Sequence, residues 1–198
     1  MSPLLPRYRH LFRALQRCRP LNIMEVGVHN GDNALKMILM ASSLQSGKRV
    51  NYHGFDFFGS PLRDEYDFAP DQLGMGSVSG RLRTTGAGIH LISGDSRETL
   101  PEFIKFHILM DFVFIDGGHS LGTVQSDWDC VRKILKRGSV VCFDDYWDSL
   151  ECGCRKTVDA IDPKKYSVIV HAPGDSGLRE DKRLAPSGKI KLAEVHVL

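Results

Sequence analysis

The sequence predicts a doubly wound α/β domain, and three observations carry that prediction. Five short apolar runs rich in Val, Ile and Phe are spaced along residues 22 to 145, helix-length stretches separate them, and two further apolar runs close the chain with no helix between them. Strands alternating with helices of this length make βαβ units, and hence a parallel sheet covered on both faces. The two late runs, lacking an intervening helix, are expected to pair as an antiparallel hairpin.

The first element is a helix within residues 1–20. Leu4, Tyr8, Leu11, Phe12 and Leu15 follow helical spacing, and Arg7, Arg9, Arg13, Arg17 and Arg19 face outward with no acid before Glu25. An Arg-rich, acid-poor start is also how organelle transit peptides look. Because apolar strand sequence begins directly afterwards at Leu21, the expected reading is a helix packed beside the first strand.

From residue 21 to 198 one domain follows. Its strands are expected at NIMEVGV (22–28), VNYHGFDFF (50–58), IHLISG (89–94), DFVFID (111–116) and SVVCFDD (139–145). The connecting segments are 33–44, a Gly- and Arg-containing stretch over 64–83, 96–106 and 124–135, with a further helix over 152–161. YSVIVH (166–171) and IKLAEVHVL (190–198) form the late hairpin around a Gly-, Pro- and Asp-rich loop. There is no internal repeat and no linker that divides the chain.

Composition excludes several function classes. The 198 residues are 42% hydrophobic and 25% charged, the balance of an ordinary globular chain. No apolar run approaches the roughly 18 residues a membrane span requires, so no membrane partner is expected. A formal charge of +2 is too mild to indicate nucleic acid. Five cysteines, an odd number, fit free thiols in a reducing, cytoplasmic setting. Cys152 and Cys154 form C-x-C, yet no second pair has zinc-site spacing.

Ligands of open α/β sheets bind at the carboxyl ends of the strands. The first strand ends in EVGVHNG, where Gly27 and Gly31 permit a tight turn and close backbone approach, and Glu25 sets a carboxylate beneath it. The second supplies Asp56 and Phe57, the third SGDS with Asp95 and Ser96, the fourth Asp116, and the fifth Asp144 and Asp145. A dinucleotide fingerprint is excluded because Val28 and His29 follow Gly27 and the central glycine of G-x-G-x-x-G is missing.

EVGVHNG, the acid in HGFDFF, SGDS and FIDGGHS, in this order, resemble the class I S-adenosylmethionine-dependent methyltransferases. IDGGHS followed by DDYW is most similar to small-molecule O-methyltransferases of the macrocin O-methyltransferase type, methyltransferase family 24. The resemblance implies a Rossmann-like, mostly parallel seven-stranded sheet with an antiparallel last strand and helices on both faces. It further implies that Glu25, Gly27, Val28, His29, Asn30 and Gly31 line the amino-acid end of S-adenosylmethionine, that Asp56 with Phe57 holds its ribose, and that Asp95 and Ser96 flank its adenine. Asp116 and His119 are expected to approach the cofactor from the fourth strand.

Three carboxylates at neighbouring strand ends are costly unless a cation sits among them, and oxygen ligands suit Mg²⁺, so Asp116, Asp144 and Asp145 form a candidate metal site. The same arrangement resembles the metal-dependent O-methyltransferases, in which His119 falls where a general base would stand. The expected chemistry is an in-line displacement in which a hydroxyl of a small acceptor, deprotonated by His119 beside Asp116, attacks the cofactor methyl. Asp144 and Asp145 have helix N-capping or direct substrate contact as rival roles. Tyr146 and Trp147 either wall the acceptor pocket or pack in the core, and residues 58–88 are a candidate lid.

Two other classes compete. GHSLG (118–122) fits G-x-S-x-G, the nucleophile elbow, which would make Ser120 a hydrolytic serine served by Asp144 or Asp145 and by His171 or His196. No HGGG-like oxyanion segment precedes it, and Ser120 is expected to be a helix N-cap instead. The other rival is a non-catalytic S-adenosylmethionine-binding protein. The methyl acceptor and the oligomeric state, homodimer included, stay open at this level.

Overall fold

Consecutive apolar positions bury both faces of a strand, and Ile23, Met24 and Val26 do so in β1 (Asn22–Val26) at the centre of the sheet. The structure is a computed structural model and describes residues 8–59, 73–172 and 190–198. Its other strands are β2 (Asn51–Asp56), β3 (Gly88–Ser93), β4 (Met110–Ile115), β5 (Leu135–Tyr146), β6 (Tyr166–Val170) and β7 (Lys191–Val197). They form one seven-stranded sheet in the order β3-β2-β1-β4-β5-β7-β6.

β1 to β5 run parallel, while β7 is antiparallel to both β5 and β6. The late hairpin thus forms as the sequence suggests, with its second strand inserted between β5 and the edge strand β6. The switch in strand order lies at β1, where the chain leaves toward β2 and β3 and returns to β4. Loops at the carboxyl ends of β1 and β4 therefore diverge and leave a crevice.

The helices are α1 (Tyr8–Cys18), α2 (Asp32–Leu44), α3 (Met75–Arg83), α4 (Ser96–Phe103), α5 (Leu121–Val131) and α6 (Arg155–Asp159). One core cluster joins α1, α2 and α3 to one face of the sheet through Leu15, Met37, Leu82, Ile23, Tyr52 and Phe114. The other joins α4, α5 and α6 to the opposite face through Phe103, Trp128, Val158, Met24 and Phe143.

α1 does not sit beside β1. It packs against β5, β7 and β4 and against α2. The reason is topological: right-handed crossovers put α2 and α3 over the β1–β3 half of this face, and α4 and α5 on the other face. The half over β4, β5 and β7 is left for α1 to cover, with Leu11, Ala14 and Leu15 fully buried.

Several boundaries shift from expectation, those of α5 most clearly. α5 starts at Leu121 because Ser120 caps it, and ends at Val131 because β5 already pairs at Met110↔Leu135, before a register shift that precedes Phe112↔Val140. Gly138, at φ +85°, lies within that irregular stretch of β5. Of the Gly- and Arg-containing stretch, Met75–Arg83 is helical. Residues 64–72 of that stretch, much of the candidate lid and most of the loop before β7 lie outside the described residues.

Candidate active site

The crevice is built first by glycine. Gly27 has φ +91°, and a Cβ placed on it would lie 2.1 Å from the Asp116 carbonyl oxygen, so only glycine lets the β1 loop pass the end of β4. The two loops are tied there, the Asp116 amide donating to the Val26 carbonyl at 2.8 Å. His29 also adopts a left-handed conformation, φ 51°. Its backbone amide donates to Asp56 Oδ2 at 2.6 Å, while the Phe58 amide donates to Asp56 Oδ1 at 3.1 Å. Asp56 therefore staples two loops together, a task its position in the sequence does not reveal.

Gly31, at φ 75°, is the N-cap of α2, and its amide donates to the Val28 carbonyl at 2.9 Å, closing the turn between β1 and α2. Asn30 accepts the Leu73 amide at 2.8 Å on its side chain and the Arg81 guanidinium at 2.8 Å on its carbonyl. Arg81 in turn pairs with Asp32 at 2.5 Å. Val28 buries its side chain in the core, so a cofactor contact from this position is limited to its backbone.

Glu25 is fully buried and accepts a hydrogen bond from the Tyr52 hydroxyl. Burial pushes its pKa up to about 8; the Tyr52 hydrogen bond opposes the rise and the nearby Asp56 charge adds to it. At neutral pH this carboxyl is mostly protonated. At the end of β3, Asp95 caps α4 by accepting the Arg97 amide at 2.9 Å, and it also pairs with the Arg97 guanidinium at 2.5 Å. The Arg97 hydrogen bond holds the Asp95 carboxyl below its usual range. Ser96, the first residue of α4, and Phe57, half-buried, stand at the same edge.

On the other side of Gly27 the acids converge. Each of Asp116, Asp144 and Asp145 offers a carboxylate oxygen within 4.8 Å of the others, and Asp144 and Asp145 are buried. His119 Nε2 lies 2.6 Å from Asp145 Oδ2, and its ring leans on Trp147 with centroids 5.4 Å apart. Asp145 itself has φ 57°, a left-handed conformation rare outside glycine and asparagine-like residues. The turn at 152–154 clamps this arrangement, with the Gly153 amide donating to the His119 carbonyl at 2.7 Å and the Cys154 amide to the Asp145 carbonyl at 3.2 Å. A cavity of about 10 Å³ lies among Asp116, His119, Asp144, Asp145 and Cys154, room for one ion or water.

Ser120 is an N-cap, its Oγ accepting the Thr123 amide at 3.1 Å, with ordinary extended torsions of φ −67° and ψ 145°. A nucleophile elbow needs a strained turn at the serine, and none is present there. Trp147 is completely buried, donating to the Cys152 carbonyl at 2.8 Å, and so backs His119 instead of walling an open pocket. Tyr146 bonds to Asp159 at 2.8 Å. All five cysteines are free thiols.

Two contributors were not legible in the sequence. Tyr52 is a buried β2 residue whose apolar neighbours announce only core, yet it holds Glu25. Tyr8 reads as part of the apolar stripe of α1, yet its hydroxyl donates to Asp116 Oδ2 at 3.1 Å across 108 positions.

A family model described as "Methyltransferase domain" (methyltransferase family 24) matches residues 24–146, a span running from β1 through the acids at the end of β5. Comparison with curated protein sequences finds no significant match. Among solved structures, the O-methyltransferase TomG of Streptomyces achromogenes, involved in tomaymycin synthesis and solved with S-adenosylmethionine, is similar at TM-score 0.65 and 13% identity, covering 99% of this chain and 81% of that one. An O-methyltransferase of Bacillus cereus solved with S-adenosylhomocysteine gives TM-score 0.65 and 15% identity over 100% and 82% of the two chains. A protein of Clostridium thermocellum, named as a proposed rRNA methylase, gives TM-score 0.66 and 10% identity with both chains fully covered. At such identities these structures speak for the fold alone, whereas the family match spans more than half of the chain. The strand order, the glycine turn and the matched family together place this chain in methyltransferase family 24 of the class I S-adenosylmethionine-dependent methyltransferases.

Proposed function

We propose that this methyltransferase acts on a hydroxyl oxygen of a small molecule, with residues 21–198 forming the catalytic domain and α1 packed onto it. The observation that carries the reading is the His119–Asp145 pair set among Asp116 and Asp144 at the crevice edge. S-adenosylmethionine supplies an electrophilic methyl group. Its amino-acid end is assigned to the loop from Glu25 to Gly31, its ribose to Asp56 and Phe57, and its adenine to the Asp95–Ser96 edge.

With Nε2 donating to Asp145, the tautomer of His119 places the basic lone pair on Nδ1. Asp145 fixes the ring and stabilises the imidazolium that forms when the acceptor hydroxyl gives up its proton. The acceptor oxygen forms its bond to the methyl carbon as the carbon–sulfur bond breaks. The electron pair returns to sulfur, S-adenosylhomocysteine leaves as a neutral thioether, and the proton stays on His119 until solvent removes it. Alignment across the crevice supplies most of the acceleration.

The acidic cluster fits a hard divalent cation. Its donors are all oxygens, two of the three acids are buried, and their spacing suits a shared ion. Mg²⁺ held by Asp116, Asp144 and Asp145 would lower the pKa of a nearby hydroxyl. The test is methyl transfer to a panel of sugars, phenols and catechols, with and without EDTA. Chelation is expected to abolish turnover, and His119→Ala is expected to lower kcat about 10²- to 10⁴-fold. Activity that survives both treatments rejects this mechanism.

A further inference from the structure

Tyr8 opens α1, and its hydroxyl donates to Asp116 Oδ2 at 3.1 Å. The edge of its ring stands on Phe114, with centroids 6.0 Å apart and planes at 88°. α1 is firmly attached along its length. Leu11, Ala14 and Leu15 are fully buried, the His10 ring stacks on His171 at 4.1 Å, and Arg17 reaches the buried Glu194 at 2.5 Å. Tyr8 is thus presented to the crevice by a helix locked into the core.

We propose that Tyr8 is a positioning residue of the acidic site: its hydroxyl holds the Asp116 carboxylate in the orientation that converges with Asp144 and Asp145. The proposal rests on the metal-assisted reading given above. Packing alone does not account for a tyrosine here, because a phenylalanine would set the same ring edge against Phe114. The hydroxyl is the part that packing leaves over, and it is aimed at a carboxylate. Terminal carboxylate torsions are broad, so a donated hydrogen bond restricts a rotation that would otherwise be lost on binding a cation. The same bond withdraws charge from one of three acids that repel one another, easing their convergence. Residues that orient metal ligands in this way typically account for about 10- to 100-fold in affinity. The N-terminal helix is then part of the active centre and not only a cover for the sheet.

The test is a titration of the full chain with Mn²⁺, followed by electron paramagnetic resonance, for the wild type and Tyr8→Phe, with S-adenosylhomocysteine affinity measured in parallel. Tyr8→Phe is expected to raise the Mn²⁺ Kd about tenfold or more, with S-adenosylhomocysteine affinity unchanged within twofold. Equal Mn²⁺ affinity in the two proteins overturns the role of Tyr8 and leaves the metal reading standing. A wild type that binds no Mn²⁺ overturns both. Parallel loss of Mn²⁺ and S-adenosylhomocysteine binding assigns Tyr8 to general structure and also overturns the proposal. Tyr8→Phe keeps the ring edge on Phe114, and a thermal melt matching the wild type's establishes that the variant is folded before the titration.

Discussion

At the scale of single residues, the site depends on conformations and protonation states that side-chain chemistry alone does not announce. Gly27 is the clearest case: Gly27→Ala meets both a left-handed torsion and the Asp116 carbonyl. It is expected to cost at least about 2 kcal/mol, roughly 4–8 °C in Tm for a chain of this size, and to weaken S-adenosylhomocysteine binding more than tenfold. Thermal melts and calorimetry would check both. Glu25 makes a prediction about pH. Its folded pKa, raised to about 8 by burial, exceeds its ordinary value of 4.5, so its contribution to stability is complete below about pH 4.5 and is lost as pH rises toward 8. Glu25→Gln removes that titration, and the variant's stability should fall less than the wild type's across this window in urea melts at stepped pH. If the cofactor ammonium settles beside Glu25, binding near pH 7 releases a proton, and the calorimetric enthalpy will vary with the buffer's ionisation enthalpy. An enthalpy independent of buffer would detach Glu25 from the ammonium.

At the scale of elements, much was legible because periodicity and strand ends report on the same thing. The five parallel strands, the late hairpin and the acids at successive strand ends follow from apolar runs that stop at polar residues. What was not legible is what lies between distant elements. Asp56 reads as a ribose acid, yet its bonds to His29 and Phe58 depend on where two loops meet. Nothing near Asp145 in the sequence announces its pairing with His119, and the place of α1 over β5 and β7 follows from crossover handedness, not from its own pattern. The anchoring of α1 is testable. Glu194 is buried; burial alone would raise its pKa, but hydrogen bonds from Arg17 and His171 outweigh this and hold it below its usual value. Arg17→Met leaves that buried acid without its guanidinium. Because Arg17 is 56% exposed, the expected loss is discounted to about 1–3 kcal/mol by urea denaturation. A variant as stable as the wild type would mean that packing alone holds α1.

For the whole molecule, the two core layers serve to hold strand ends in register around the switch at β1. Gly27 is where the β1 loop touches the end of β4, next to the acids gathered at the ends of β4 and β5. α1 belongs to this unit. Deleting residues 1–20 would expose the faces that bury Leu11, Phe12 and Leu15, at about 1.5–3 kcal/mol each. That sum is comparable with the whole stability of a domain, so the truncated chain is expected to lose its cooperative melt. Such a melt surviving in the truncated protein would make α1 an appendage. S-adenosylmethionine is expected to sit on the β1 loop and against Asp56, and calorimetry with S-adenosylhomocysteine checks this. One site per chain is expected, lost in Asp56→Ala and kept in Ser120→Ala. Absence of binding by the wild type, or binding indifferent to Asp56→Ala, would contradict it.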